Sequence, residues 1–263
     1  MTDAKLIAEL LELAKRVGRE AGELLQNRPA AFEVTSKSTT IDVVTQMDSQ
    51  SENHIVSEIL KARPDDGIIG EEGSQRTSKS GITWVIDPLD GTVNYLYGLP
   101  GWNVSIAAKD SAGVVVGVVV APTINSTWSA SRGGGAFLND QAIACNEGVE
   151  LNRALVGTGF AYDVDARPAQ LAQLSELLTR IRDIRRNGAA AVDLCHVAMG
   201  ALDGYFEKGL QEWDLAAGGL IATEAGAVVT NSSGGRAGRE MVVAAHPTLH
   251  GEILALLSRV AGD

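Results

Sequence analysis

Cysteine is scarce: Cys145 and Cys195 are the two thiols in 263 residues. Two distant thiols cannot make a disulfide framework, and no CxxC pair offers a structural zinc site. Basic residues are also short, with 22 Lys+Arg against 33 Asp+Glu and a formal net charge of −11. That balance excludes nucleic acid and anionic membrane surfaces as partners, because both need a basic face to neutralise phosphates. No apolar run approaches the ~20 residues of a membrane span. The longest candidate, Val114–Pro122, reads as a strand. The stretch Met1–Gly18 lacks the basic start and unbroken apolar core of a signal peptide, which points to a cytoplasmic protein. The Asn-x-Ser/Thr sequons at Asn103, Asn125 and Asn231 then carry no meaning. A hydrophobic share of 45% is enough for a real core, so disorder does not explain the acidity. A solvated surface and a metal site both would.

Leu6, Leu10, Leu13, Ala14, Val17, Ala21 and Leu24 recur at helical spacing and predict an amphipathic first helix. A β-like stretch around Phe32–Val34 and a polar loop, Ser36–Thr40, follow. Asp48 or Ser49 is expected to cap a second helix running through Ile55 and Ile59 to Arg63, and Pro64–Gly67 reads as a turn. From Ile82 to Asn139 the runs ITWVI, NVSIAA, GVVVGVVV, STWSAS and AFLN predict an antiparallel sheet. Beyond about residue 150, strands and helices alternate, and a helix follows Pro247. The fold class implied is α/β, a layered αβαβα sandwich with an antiparallel-rich first half and an α/β second half. The expected division is 1–148 and 149–263 within one compact unit.

The chemistry concentrates in Trp84-Val85-Ile86-Asp87-Pro88-Leu89-Asp90-Gly91-Thr92. A buried strand is expected to end at Asp87, since Pro88 cannot continue a ladder. Two carboxylates then stand three residues apart before a helix start whose free amides suit a phosphate. The bland reading is that Asp87 and Asp90 merely cap a turn and a helix. Glu71-Glu72 after Ile68-Ile69-Gly70 is a second acidic pair at a strand end, equally compatible with a solvated loop. Asp214, after Trp213, would by default cap its helix. Together these place carboxylates at element ends in both halves, where α/β folds gather their sites. Carboxylates within ~4 Å of one another repel unless a cation neutralises them, and hard oxygens favour Mg²⁺, Mn²⁺ or Ca²⁺.

Three separated motifs, G-E-E, D-P-L-D-G-T-x-N and W-D-x-A-A-G, resemble in order and spacing the inositol monophosphatase family of magnesium-dependent, lithium-sensitive phosphatases. The resemblance runs from Lys37-Ser38 to the C-terminal helix. It implies that Glu71, Asp87 and the carbonyl of Leu89 hold a first metal, and that Asp87, Asp90 and Asp214 hold a second. Glu71 also faces a weaker third, giving two to three Mg²⁺ per site, with Mn²⁺ possible. Gly91 and Thr92 correspond to the phosphate-binding amides, alongside Asp90. Gly188, Ala189, Ala190 and Glu207, with Asp214, match the region around the leaving alcohol. Asp48, in the run Asp42–Asp48, matches the carboxylate that orients Thr92. Many members have Ser or Thr after Gly188, so Ala189 puts substrate preference in question.

The activity implied is hydrolysis of inositol 1-phosphate, or a similar small polyol phosphate, by a metal-activated water attacking in line. Histidinol-phosphate phosphatase is the alternative within the class. Bisphosphate branches fit less well, because the chain has no spare basic cluster for a second phosphate. A regulatory, protein-binding role on the same fold is the alternative of another class. A Ca²⁺-binding module fails because the EF-hand spacing is absent. The resemblance also implies a homodimer. Cys195-His196 is set aside as a nucleophile and base, because helix neighbours point about 100° apart. His246 and His250 are expected at the surface. Gly133–Gly135 and Gly234-Gly235 read as turns.

Overall fold

The computed structural model describes residues 2–29, 33–36 and 43–259. Helix α1 (Ala4–Gln26) buries Leu10, Ala14, Val17, Ala21 and Leu25 on one stripe, and Asp3 caps it by accepting the Leu6 amide at 2.8 Å. Strands β1 (Val34–Ser36) and β2 (Val43–Thr45) pair antiparallel and lead into α2 (Gln46–Ala62). Phe32 of the expected β stretch, loop residues 37–40 and Asp42 lie outside the described residues. The expected start of α2 is corrected. Thr45 is its cap, with Oγ1 accepting the Met47 amide at 3.1 Å. Asp48 is already the third helical residue, and its carboxylate reaches back to the Thr45 amide at 2.8 Å.

The first sheet is built from β3 (Gly67–Gly70), β4 (Gln75–Arg76), β5 (Thr83–Asp90), then β6 (Asn103–Asp110), β7 (Gly113–Ala121), β8 (Ser126–Ser131), β9 (Gly135–Leu138) and β10 (Gln141–Ile143). A short helix, α3 (Thr92–Tyr97), links β5 to β6. Among the described residues the sheet has eight strands in the order β10-β9-β8-β7-β6-β5-β3-β4, antiparallel except where β3 runs parallel to β5. The expected end of β5 at Asp87 is also corrected: the strand passes Pro88 on a bulge and continues to Asp90.

The second half contains β11 (Leu155–Thr158), α4 (Arg167–Leu178), β12 (Asp183–Arg185), α5 (Ala190–Ala198), β13 (Gly204–Glu207), α6 (Glu212–Glu224), β14 (Val228–Thr230), β15 (Val242–Ala245) and α7 (Pro247–Arg259). Its five strands lie in the order β12-β11-β13-β15-β14. Strand β12 has no sequence signature, since its three residues are two charges around Ile184. α6 begins at Glu212, so Asp214 is its third residue and not its cap.

The layers follow from which face each residue presents. Trp84 and Ile86 of β5 pack with α1 and α2, whereas Val85 packs with α5 and α6. The same inner cluster takes Tyr205, Val242 and Ala244 from the second sheet. Phe206, Val243 and Ala245 face outward against Leu177 of α4 and Leu249 and Ile253 of α7. The result is helices, sheet, helices, sheet, helices, the α/β sandwich expected. His250 corrects an expectation, because it is buried and its Nε2 lies 2.9 Å from Thr230 Oγ1. Among the described residues no helix is long and apolar enough to cross a membrane.

The small residues of α6 let it lie directly on the first sheet. A Cβ at Gly117 of β7 would stand 2.8 Å from the Ala217 carbonyl oxygen and 2.9 Å from its Cα. Both are backbone-anchored and cannot swing aside. Gly117→Ala is therefore expected to cost about 1–3 kcal/mol of overpacking, read as a lower urea midpoint at unchanged slope.

Candidate active site

The site grows from the bulge in β5. Asp87 lies opposite Ser105 and Asp90 opposite Asn103, three residue steps on β5 against two on β6. The extra residue falls at Pro88-Leu89, where Pro88 has no amide to donate to a ladder. The bulge is closed locally: the Leu89 amide donates to Asp87 Oδ1 at 3.0 Å. Ser51 Oγ on α2 donates to the Pro88 carbonyl at 2.8 Å. Asp87, Leu89 and Asp90 are thereby held at one end of the sheet. Gly91 follows with φ of 84°, the left-handed turn that starts α3. Thr92 Oγ1 lies 3.1 Å from both Asp48 Oδ1 and the Leu89 carbonyl, so its proton is committed to one of them.

The second half docks on this turn through Asp90. Helix α5 follows Ala189, which has no side chain able to cap it. Asp90 Oδ2 performs that task across 101 residues of sequence, accepting the Ala191 amide at 2.9 Å and Asn103 Nδ2 at 2.8 Å. Asn94 Nδ2 of α3 donates to the Asn187 carbonyl at 2.7 Å and fixes the loop carrying Gly188. On α6, Asp214 Oδ2 accepts the Gln211 amide at 2.7 Å, and Ser105 Oγ donates to the Trp213 carbonyl at 3.3 Å. Asp48 and Asp214 thus occupy the same position in two different helices, each third from the start.

These elements enclose a cavity of about 100 Å³. Its walls include Glu71, Asp87, Leu89, Asp90, Gly91, Thr92, Gly188, Ala189, Ala190, Glu207 and Asp214. Asp48 is the expected site residue that does not reach the cavity; it is fully buried behind Thr92. Sequence reasoning missed Gly159, Phe160, Tyr162, Arg186 and Leu210, which complete the lining. Arg186 had a usable signal, as a cation two residues before Gly188. Phe160 and Tyr162 had none.

Burial sets the electrostatics. Asp87 is pushed well up, first by burial and then by Glu71, Asp90 and Asp214. Asp214 is raised the same way, by burial, Asp90 and Glu71. Asp90 rises to about 6 through burial, restrained by its bonds from Asn103 and Ala191. Glu207 rises to about 7 by burial, opposed by the Tyr205 hydroxyl and Arg186. Among the described residues no three His, Cys, Asp or Glu side chains already converge as a metal cage. The carboxylates instead line the walls and repel one another. Their donor set is hard oxygen without sulfur or imidazole, which fits Mg²⁺ or Mn²⁺ and not zinc.

Asp193 of α5 lies deeper, and burial pushes its carboxyl up to about 8 against the stabilising bond from Asn187. The folded chain then holds a proton that the unfolded chain has released, so stability falls as pH rises from about 4 to about 8. His196 and His250, shifted down by burial, act oppositely, but only near and below their unfolded value of about 6.5. Between pH 7 and 8 in chelator, the melting temperature is expected to fall, with Asp87 and Asp214, also raised by burial, adding to the slope. Asp193→Asn is expected to reduce this slope in scanning calorimetry; an unchanged slope would refute the assignment.

The model of the inositol monophosphatase family matches residues 5–261. The chain is 40% identical over 276 residues to the inositol-1-monophosphatase SuhB of Mycobacterium tuberculosis, covering 97% of this chain and 95% of that one. It is 42% identical over 261 residues to the Nus factor SuhB of Pasteurella multocida, covering 97% of each. The crystal structure of the extragenic suppressor protein suhB of Bartonella henselae superposes with a TM-score of 0.90 at 32% identity, covering 95% of this chain and 99% of that one. With the family model spanning almost the whole sequence, the chain belongs to the inositol monophosphatase family.

Proposed function

We propose that the protein is a Mg²⁺-dependent phosphomonoesterase that hydrolyses inositol 1-phosphate or a similar small polyol phosphate. The observation that carries this reading is the bulge in β5, which brings Asp87, Asp90 and Thr92 into one buried cavity with Glu71 and Asp214. Glu71, Asp87 and the Leu89 carbonyl would hold a first ion, and Asp87, Asp90 and Asp214 a second, with Glu71 facing a weaker third. Bound Mg²⁺ supplies Lewis acidity and lowers the pKa of water in the site.

The chain's own groups provide the positioning. Thr92 gives its proton to Asp48 or to the Leu89 carbonyl, so toward the cavity its oxygen can only accept. It therefore takes a hydrogen bond from the attacking water and turns a water lone pair toward phosphorus. The amides of Gly91 and Thr92 meet phosphate oxygens. As the new P–O bond forms, the ester P–O bond breaks in line, and the water's proton ends on the departing alcohol. Glu207 accepts from hydroxyls of that alcohol, beside the backbone of Gly188, Ala189 and Ala190. Phe160 and Tyr162 supply aromatic wall to the cavity.

The Pasteurella relative's name, Nus factor, supports a second reading in which the fold also serves a protein partner. The intact carboxylate set makes that role additional to hydrolysis. Asp90→Asn keeps an oxygen for the Ala191 amide and Asn103, so the fold is expected to persist. Phosphate release is expected to drop about 10²–10³-fold, the scale of losing one transition-state stabilising group. Near-full turnover would overturn the metal assignment. With the wild type and Mg²⁺, inositol 1-phosphate is expected to outrun histidinol phosphate; a tenfold preference for the latter would reverse the substrate choice.

A further inference from the structure

Helix α2 holds the three first-half pieces of the site, and one of its contacts has no counterpart in the motifs. Glu52, 3% exposed, lies one turn beyond Asp48 and next to Ser51. Its Oε2 accepts the Glu72 amide at 2.8 Å and its Oε1 the Ser74 amide at 3.0 Å. Each oxygen of this buried carboxylate is thus engaged by a backbone donor of the turn that follows β3 and carries Glu71. The strand end is shaped to admit it. A Cβ at Gly70 would stand 2.4 Å from Glu52 Oε2 and 2.6 Å from its Cδ. Gly70 has no left-handed backbone that would demand glycine. The missing side chain is what makes room for the Glu52 carboxylate.

We propose that Glu52 is a positioning residue for Glu71, fixing the turn after β3 so that the Glu71 carboxylate faces the cavity formed by the β5 bulge. The same helix face does this for the other two pieces. Asp48 holds Thr92, Ser51 holds the Pro88 carbonyl, and Glu52 holds the Glu71 turn. Positions 48, 51 and 52 share one side of α2, so a single rigid rod sets three loops relative to one another. Glu71 sits on a turn in which the Glu72 and Ser74 amides, without Glu52, would bond to water and loosen its direction. Freeing that turn lets Glu71 sample directions away from the cavity. Ion affinity then falls, because the cost of ordering Glu71 is met at binding.

This inference rests on the metal-site reading above, and its test separates the two. Mn²⁺ is titrated into the metal-stripped protein and free Mn²⁺ is read by electron paramagnetic resonance. Phosphate release is followed in parallel against Mg²⁺ concentration. Glu52→Ala is expected to weaken Mn²⁺ binding by about 10–100-fold, the usual range for loss of an outer partner of a metal ligand. Glu52→Gln, which keeps one acceptor oxygen, is expected to lose less. Gly70→Ala, which displaces the carboxylate without removing it, is expected to reproduce the loss. Turnover is expected to recover toward wild type at saturating Mg²⁺. Ile253→Ala, a cavity in the outermost helix layer, is the control for destabilisation alone and is expected to bind Mn²⁺ normally. Wild-type affinity in folded Glu52→Gln and Gly70→Ala overturns the positioning role. A wild type that binds no Mn²⁺ overturns the metal reading and this proposal with it.

Discussion

Asp90 terminates the bulge in β5, and its carboxylate takes hydrogen bonds from two sides: Asn103 in the neighbouring strand and the first amides of α5. An α-helix leaves its first amides unsatisfied, and α5 is preceded by Gly188 and Ala189, whose side chains cannot supply an acceptor. The missing cap comes from the other half of the chain. One carboxylate therefore serves three demands: it closes the strand, starts the helix and lines the cavity. The placement of Ala189 and Ala190 at the wall, and the approach of the second sheet to the first, depend on that contact. The bulge makes it possible by adding one residue where Pro88 has no amide to lose.

The same burial works against stability. Asp87, Asp90, Asp214 and Glu207 all have raised carboxyl pKa values, with desolvation as the first cause in each. A core built for stability alone would not place them together. Counterweights surround them: backbone amides at Asp87 and Asp214, the Asn103 amide at Asp90, and Arg186 with the Tyr205 hydroxyl at Glu207. These bonds fix direction without removing the repulsion, so the cavity remains ready to gain from a dication. A phosphate dianion is repelled by the bare walls and attracted once they are neutralised. The chain's acidity is compatible with a phosphorylated substrate for that reason.

Much of the fold was legible along the chain. The apolar runs of β5 and β6, buried on both faces, the Val-rich β7 and the stripe of α1 follow from residue order, which needs no knowledge of distant contacts. The misreadings were local ends and buried exceptions. Asp48 and Asp214 look like caps, yet each sits two residues into its helix, because a carboxylate at the third position can bond back to the cap as well as serve as one. Strand β5 continues past Pro88 because a bulge tolerates the missing amide. His250 is buried because Thr230, on a strand twenty residues earlier, offers its nitrogen a partner.

By itself the sequence determined the layered architecture and the identity of the acidic groups, since periodicity and the three motifs are written in consecutive residues. The tertiary structure alone decided how those groups meet. Asp90 caps a helix that begins a hundred residues later, Glu52 lies across Gly70, and Arg186 enters the wall beside Glu207. Each of these joins residues from different elements, and no local spacing encodes a contact whose partners become neighbours only after the chain has folded.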